Sequence, residues 1–239
     1  MNKNIIEELH QNSLKKEAQF FQQIADRLGR NRLYTPPART IKGVPNFWSE
    51  YDLDEEERIA LFMKNWETLG GVAKRFRKKE ELGHFVRDIV ETMKAKHVIR
   101  ANHPFFDETM MDQTLSACDV TVWKKDQPTN LLEKAAGADI GIAVVDYAIS
   151  HTGSLVVTSG ADKGRSLSLL PTVFMGVVPA KNIKTKMGDV LKEVKKWGKM
   201  PAGIHFISGP SRSADIENDL TIGVHGPGIV YALIVDEIE

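Results

Sequence analysis

The sequence predicts an α/β protein with a parallel-rich central sheet flanked by helices and an N-terminal helical arm. Amphipathic helical patterns alternate with short apolar strands from about residue 54 onward. Segments such as Ile229–Val235 are apolar throughout, which is typical of strands covered on both faces. The composition, 42% hydrophobic and 27% charged, is that of an ordinary globular protein. A chain of 239 residues can therefore bury one large core and carry a small attachment.

Residues 1–50 are predicted to form a helix followed by an extended arm, and residues 51–239 the α/β domain. Apolar side chains recur at helical spacing up to Leu28, and Gly29 follows as a C-cap would. Three prolines then oppose helix formation: Pro36, Pro37 and Pro45. The aromatic residues of the arm would suit a contact surface, or they would pack on their own domain.

The first half of the α/β domain shows two helical patterns and three short strands. The helical patterns run over Ile59–Leu69 and Leu82–Met93, each with apolar residues along one face. The predicted strands are Val72–Phe76, His97–Arg100 and Val120–Trp123. A basic run at residues 74–79 is followed by two glutamates, which favours a solvated helix entrance over a nucleic-acid patch.

The second half is richer in glycine and β-branched residues. Ile140–Tyr147 and Ser154–Ser159 are predicted as neighbouring strands, and Thr172–Val178 as a buried strand. An apolar helix face spans Ile183–Trp197, and Ile204–Ile207 is predicted, like the last strand, to lie in the sheet interior. The strand–helix–strand order implies right-handed crossovers and a largely parallel sheet.

Charge and cysteine content exclude several classes of protein. Basic and acidic residues number 32 each, which argues against a general nucleic-acid binder. No apolar run approaches the roughly 20 residues needed to cross a bilayer. The N-terminus lacks the features of a secretory signal, so a cytoplasmic location is expected. The one cysteine, Cys118, cannot form an intramolecular disulfide or hold an iron–sulfur cluster alone, and is interpreted as a small apolar residue.

Three polar, glycine-bearing loops could carry chemistry, and we expect them to converge at one sheet edge. In the first, residues 150–171, Gly153 allows a tight turn beside the hydroxyls of Thr152 and Ser154. This turn is either an anion-binding nest or an ordinary hairpin. Farther along, Arg165 could bind a carboxylate or phosphate, or pair with Asp162 or a C-terminal acidic group.

The second loop, residues 208–217, follows the strand Ile204–Ile207, and ligands of open parallel sheets bind beyond the carboxyl ends of strands. Its Gly/Ser-rich start could offer free amides, or Ser211 or Ser213 could be a helix N-cap. Asp215 and Glu217 would repel an anion unless they cap amides or face a metal.

The third loop, residues 223–228, places His225 between glycines ahead of a buried strand. Histidine suits proton transfer near neutral pH, but the interpretation favoured here is that its ring fixes the loop by hydrogen bonds. The seven histidines show no metal-ligand spacing, and the nucleotide-binding and hydrolase motifs are missing. No metal site is expected.

Taken together, four segments resemble the LUD-domain family, named for lactate utilization, and its protein C branch. They are HTGSLVVTS (151–159), GRSLSLLP (164–171), GPSRSADIE (209–217) and GVHGP (223–227). The resemblance implies a fold similar to the sugar-phosphate isomerase and CoA-transferase superfamily. It also implies ligand-binding roles for these residues: Thr152, Gly153, Arg165, Ser168, Gly209, Ser211, Asp215, Gly223 and His225. His151 and Arg212 depart from the usual pattern.

The resemblance further implies an accessory subunit, not itself an electron carrier, that works with two iron–sulfur partner proteins in the oxidation of L-lactate to pyruvate. The clusters are then expected on the partners, with no cofactor in this chain, and the chain itself would bind a small anion such as lactate, pyruvate or a cofactor phosphate. Self-association into a homo-oligomer is left open. If the chain catalyses a step, His225 and Asp215 are the candidates. The alternatives are a free-standing enzyme of acyl, CoA or sugar-phosphate transfer, using Asp215 or Glu217, and a purely structural assembly factor.

Overall fold

The structure is a computed structural model that describes residues 3–35, 53–126, 130–214 and 219–236. The chain divides into two compact units, Met1–Tyr51 and Asp52–Glu239. The first contains the helix α1, Lys3–Arg27. The three prolines of the predicted arm lie outside the described residues. Within the described ranges, every helix is too short or too polar to span a membrane.

The second unit alternates helices and strands. Its helices are α2 (Glu55–Thr68), α3 (Lys79–Met93), α4 (Pro104–Glu108), α5 (Met111–Thr114), α6 (Leu131–Ala136), α7 (Ser166–Leu169) and α8 (Met187–Lys195). Its strands are β1 (Val72–Phe76), β2 (His97–Ala101), β3 (Asp119–Trp123), β4 (Ile140–Val144), β5 (Tyr147–Ile149), β6 (Ser154–Thr158), β7 (Val173–Pro179), β8 (Ile183–Lys184), β9 (Ile204–Ile207), β10 (Arg212–Ala214), β11 (Leu220–Ile222) and β12 (Ile229–Val235).

Six of these strands form a parallel sheet in the order β1-β12-β7-β4-β2-β3. Every residue of β4 and β7 is buried, because helices and a second sheet cover both faces. The core residues Phe174, Met175 and Leu233 are fully buried in this sheet. The prediction of an α/β fold with a parallel central sheet is confirmed.

A second sheet has the order β8-β5-β6-β9 and contains antiparallel pairs. Ile149 and Val156 of this sheet pack against Val190 and Val194 of α8. The prediction that Ile204–Ile207 lies in the parallel sheet is wrong, because β9 pairs antiparallel with β6 at the edge of the smaller sheet. The predicted long strand up to Tyr147 is divided between the two sheets.

Two predicted helices are also corrected. The helix predicted from Ile183 begins at Met187, because Ile183 pairs with Ala148 of β5 as part of β8. The second loop does not open a helix at Ser211 or Ser213, since residues 212–214 form β10 and pair antiparallel with β11. Ser213 is therefore a strand residue and not a helix N-cap.

Helix α2 is the element on which the first and second polar loops pack. It begins with a capping box, in which the Asp54 carboxylate accepts the Glu57 N–H at 2.9 Å and the Glu57 carboxylate accepts the Asp54 N–H at 3.0 Å. Its inward face buries Phe62 and Trp66 completely. The Trp66 indole N–H donates to the carbonyl of Val72 at 3.1 Å, so the helix is joined to the start of β1.

Candidate functional site

The three polar loops do meet, at the amino ends of β7 and β12. The Gly228 N–H donates to the carbonyl of Thr172 at 3.0 Å. The Ser211 N–H donates to the carbonyl of Pro227, and the Gly223 N–H to the carbonyl of Ser211, both at 2.9 Å. The predicted convergence is confirmed, but it occurs at the end of the sheet opposite to the one where parallel sheets usually bind ligands.

The first and second loops are joined by hydroxyl groups and pack on the end of α2. Ser154 Oγ lies 2.8 Å from Thr152 Oγ1 and 2.7 Å from Ser208 Oγ. Gly153 has a φ of +55°, and a methyl group there would lie 2.8 Å from backbone atoms of Asn65. This position requires glycine because the loop backbone lies against the helix backbone.

Gly209 must also be a glycine because the loop backbone lies against the helix backbone. Its φ is +95°, and a methyl group at this position would lie 2.7 Å from the carbonyl oxygen of Leu69. The Arg212 guanidinium donates to that same carbonyl, at the end of α2. The loop glycines and Arg212 therefore help to cover the C-terminal end of a helix.

The predicted site residues are placed in different surroundings. Ser168 is buried and its hydroxyl donates to the carbonyl of Arg165 at 3.1 Å, while His225 and Thr152 are exposed. Asp215 and Glu217 lie outside the described residues. The binding roles of these residues stay predictions.

Among the described residues, Arg165 makes no hydrogen bond to Ser211 or Gly223. Burial, and then the nearby charge of Arg165, lower the pKa of His205, which places this guanidinium near β9. Asp162, suggested as a partner of Arg165, instead accepts the Asn102 amide at 2.9 Å. In the part of the chain that the structure describes, the Arg165 side chain makes no hydrogen bond or ion pair.

The opposite, carboxyl end of the parallel sheet carries a cavity of about 260 Å³. Polar side chains that follow β2, β4 and β7 border it together with a lysine from the loop after β6. The polar and aromatic lining residues are His103, Asp146, Tyr147, Lys163, Lys181, Asn182 and Trp197. We call this the carboxyl-edge cavity.

A lysine–aspartate pair borders the carboxyl-edge cavity. Lys163 Nζ is 2.8 Å from Asp146 Oδ2 and donates to the carbonyl of Val144 at 3.2 Å. The same carboxylate oxygen accepts the Thr158 N–H at 2.7 Å. Both charged side chains are largely covered, with 18% of Lys163 and 21% of Asp146 exposed. An ammonium has three donors, so one N–H of Lys163 remains for a ligand.

His103 borders the same cavity and is held at the start of α4. Its Nδ1 accepts the Phe105 N–H at 3.2 Å, as an N-cap side chain does. Burial, and then the positive charge of Lys163, lower the pKa of His103, although Asp146 and Glu108 act in the opposite direction. The imidazole is therefore neutral at physiological pH.

Two aromatic side chains form part of the cavity wall. Tyr147 and Trp197 stack with ring centroids 6.2 Å apart and an interplanar angle of 20°. Burial, and then the charge of Glu193, raise the pKa of the Tyr147 phenol, which keeps it protonated. The cavity thus combines an apolar wall with a few polar groups, as small-molecule sites commonly do.

Comparison with known sequences identifies the family. A family model of the LUD domain matches residues 59–235. The chain belongs to the LUD-domain family. It is 32% identical over 231 residues to lactate utilization protein C of Halalkalibacterium halodurans, covering 94% of this chain and 99% of that relative. Lactate utilization protein C of Bacillus subtilis is 33% identical over 162 residues, 63% of this chain and 68% of the relative.

A solved structure has a similar fold. The crystal structure of a DUF162-family protein from Deinococcus radiodurans superimposes with a TM-score of 0.55, covering 77% of this chain and 99% of that one. The two sequences are 20% identical, so this likeness concerns the fold alone.

Sequence reasoning missed the carboxyl-edge cavity of this LUD domain. A signal was present, because polar pairs lie at or one residue beyond the ends of three parallel strands: Asn102-His103 after β2, Asp146-Tyr147 after β4 and Lys181-Asn182 in the turn after β7. Asp146 was hidden because the predicted strand ran through it to Tyr147. Within the described ranges, no group of three or more His, Cys, Asp or Glu side chains is placed to hold a metal ion.

Proposed function

We propose that this LUD-domain protein is an accessory subunit of lactate utilization that binds a small carboxylate anion in the carboxyl-edge cavity. A role in lactate utilization is supported by the similarity, over nearly the whole chain, to relatives named lactate utilization protein C. The ligand is lactate or pyruvate, the substrate and product of L-lactate oxidation, or an anion of similar size.

The partly buried ammonium of Lys163 is the observation that carries the ligand proposal. Its third N–H has no acceptor among the described residues, and shielding from water strengthens its attraction for an anion. The exposed Lys181 lies at the same cavity and adds a second positive charge, which offsets the carboxylate of Asp146. A cavity of about 260 Å³ is below the roughly 300–1,000 Å³ of sites for drug-sized ligands, which favours a molecule of few atoms.

The proposed partners are two iron–sulfur proteins that carry the electrons of lactate oxidation. This chain has one cysteine, whereas iron–sulfur clusters usually need four thiolates. Cys118 is half-buried, its thiol donates to the carbonyl of Ala95 at 3.2 Å, and burial, followed by the charge of Asp139, raises its pKa. A thiol in this environment is a poor metal ligand, since the thiolate is the ligating form.

Ligand-dependent thermal stability tests the ligand proposal. We expect L-lactate or pyruvate to raise the Tm of the wild-type protein by mass action. The Lys163→Gln variant should lose this shift. The Lys163→Gln/Asp146→Asn double variant should lose it as well, which shows that the loss is not caused by leaving the Asp146 carboxylate unpaired. Lys192→Gln, an exposed lysine on α8, should behave as wild type. No shift in the wild-type protein, alone or with its partners, would contradict the proposal.

The Arg165→Ala variant separates the cavity from the loops. If the ligand occupies the carboxyl-edge cavity, this variant keeps most of the thermal shift while Lys163→Gln loses it. The reverse pattern would place the ligand at Arg165 of the first polar loop, where the resemblance to the family predicts binding.

Co-purification tests the partner proposal. The protein is co-expressed with two cysteine-rich iron–sulfur proteins of the same organism, and the mixture is analysed by size-exclusion chromatography with absorbance near the cluster bands. Co-elution with the coloured fractions is expected. Separate elution, together with normal growth on L-lactate when this gene is deleted, would contradict an accessory role.

A further inference from the structure

We propose that His103 is a neutral, fixed hydrogen-bond donor that makes the carboxyl-edge cavity selective for carboxylates with an oxygen on C2. These are 2-hydroxy and 2-oxo acids, as opposed to unsubstituted short-chain acids. The inference rests on the proposed function, since it assigns the specificity of the same cavity.

The hydrogen bond to Phe105 determines the tautomer of His103. A backbone N–H can only donate, so Nδ1 must be the acceptor in the 3.2 Å contact and carries no proton. In the neutral imidazole the hydrogen is therefore on Nε2. The described residues provide no acceptor for this Nε2–H, while the ring itself borders the cavity. One donor of the ring is thus left for a ligand.

The surroundings of His103 also keep its ring in place and uncharged. The ring packs edge-to-face on Phe106, with centroids 6.5 Å apart and an interplanar angle of 77°. Protonation would have to occur at Nδ1 and would break the cap of α4. Among the charged groups that act on the ring, Lys163 lowers the pKa of His103, whereas Asp146 and Glu108 raise it. The tyrosine that shares the cavity, Tyr147, stays neutral.

Lys163 and His103 border the same cavity, and we infer that adjacent acceptor atoms of one ligand use both donors. Lys163 offers its third N–H to the carboxylate, and His103 offers Nε2–H to the oxygen on C2. A carboxylate that lacks this oxygen would shield the imidazole N–H from water without accepting a hydrogen bond from it. An unsatisfied buried donor weakens binding by about 5- to 150-fold, so discrimination of this order is expected.

Calorimetric titration with L-lactate, pyruvate and propionate tests the inference. Propionate has the same carbon chain but no oxygen on C2, and wild-type protein should bind it about 5- to 150-fold more weakly than the preferred 2-oxygenated acid. His103→Asn is the informative variant, because an asparagine is a good N-cap and can still accept from Phe105 but does not reach as far as the imidazole. We expect this variant to bind all three acids with the affinity of propionate.

Three outcomes would overturn the inference, and they differ from a failure of the proposed function. Equal affinities of the wild-type protein for the three acids would remove the specificity role alone. Retained discrimination in His103→Asn, or a ratio of affinities that changes between about pH 7 and pH 8.5, would show that a neutral His103 is not its source. Absence of binding of all three acids would overturn the proposed ligand site as well.

Discussion

Substitution of Gly153 by alanine tests whether the first polar loop is a packing element of the fold. The loop places this glycine in the left-handed region, with φ at +55°, directly against the backbone of α2. A methyl group would approach Asn65 C and Trp66 N to 2.8 Å, closer than nonbonded atoms allow. Because both neighbours are helix backbone atoms, they cannot move aside as a flexible side chain could.

The magnitude follows from two contributions. The left-handed conformation costs a non-glycine residue about 1–2 kcal/mol. Overpacking against fixed neighbours costs about 1–3 kcal/mol. Gly153→Ala should therefore lower the free energy of unfolding by about 3 kcal/mol, which corresponds to a Tm lower by about 6–12 °C for a domain of this size.

Urea denaturation with two matched glycine variants measures these contributions separately. Gly198 has a φ of +71° but open space around it, so Gly198→Ala should cost only the conformational contribution. Gly188 lies in α8 with open space and no positive φ, so Gly188→Ala should be neutral or slightly stabilising. If Gly153→Ala and Gly198→Ala have equal midpoints, the close packing of the loop on α2 is refuted.

Three other properties can be checked on the same protein. Arg100 is buried and binds both carboxylate oxygens of Asp112, at 2.6 and 2.7 Å. Arg100→Met should therefore lower the free energy of unfolding by about 2–4 kcal/mol, as measured by urea denaturation. A loss below about 0.5 kcal/mol would contradict the pairing. The pKa of His103 is lower in the folded protein than in the unfolded chain, so the unfolded chain binds a proton at this residue at a higher pH. The free energy of unfolding should therefore fall as the pH drops through the usual histidine range and below it. His103→Asn should make that fall smaller in pH-dependent melting curves. Cys118 should react with a disulfide reagent much more slowly in the folded than in the urea-unfolded protein, and equal rates would contradict its covered position.

The parallel core was predictable because its strands are buried on both faces. Thr172–Val178 was predicted and β7 covers Val173–Pro179, while the predicted strand Ile229–Val235 has the same bounds as β12. Continuous apolar runs of this length have few other uses in a globular domain. The predicted helical pattern Ile59–Leu69 likewise falls on α2, which the capping box at Asp54 begins a few residues earlier.

The smaller sheet was not predictable, because strand pairing is a tertiary property. Ile204–Ile207 has the same apolar letters as an interior strand, yet all of its residues are at least partly exposed at a sheet edge. Ile183 continues the apolar face of α8 in the sequence, but its backbone pairs with β5. Hydrophobic periodicity indicates which residues are buried, but it does not determine which strands pair with one another.

The candidate site shows the same division between local and tertiary information. The Lys163–Asp146 pair joins residues 17 positions apart, and the donor role of His103 depends on a cap that forms only once α4 exists. Glycine-rich loops, in contrast, are conspicuous in any sequence. A glycine signals that the backbone approaches something closely, and this can be a ligand or another part of the chain. For Gly153 and Gly209 the neighbour is the end of α2, so the feature that most suggested binding has a structural cause, and the charged groups that suit an anion lie at the other end of the sheet.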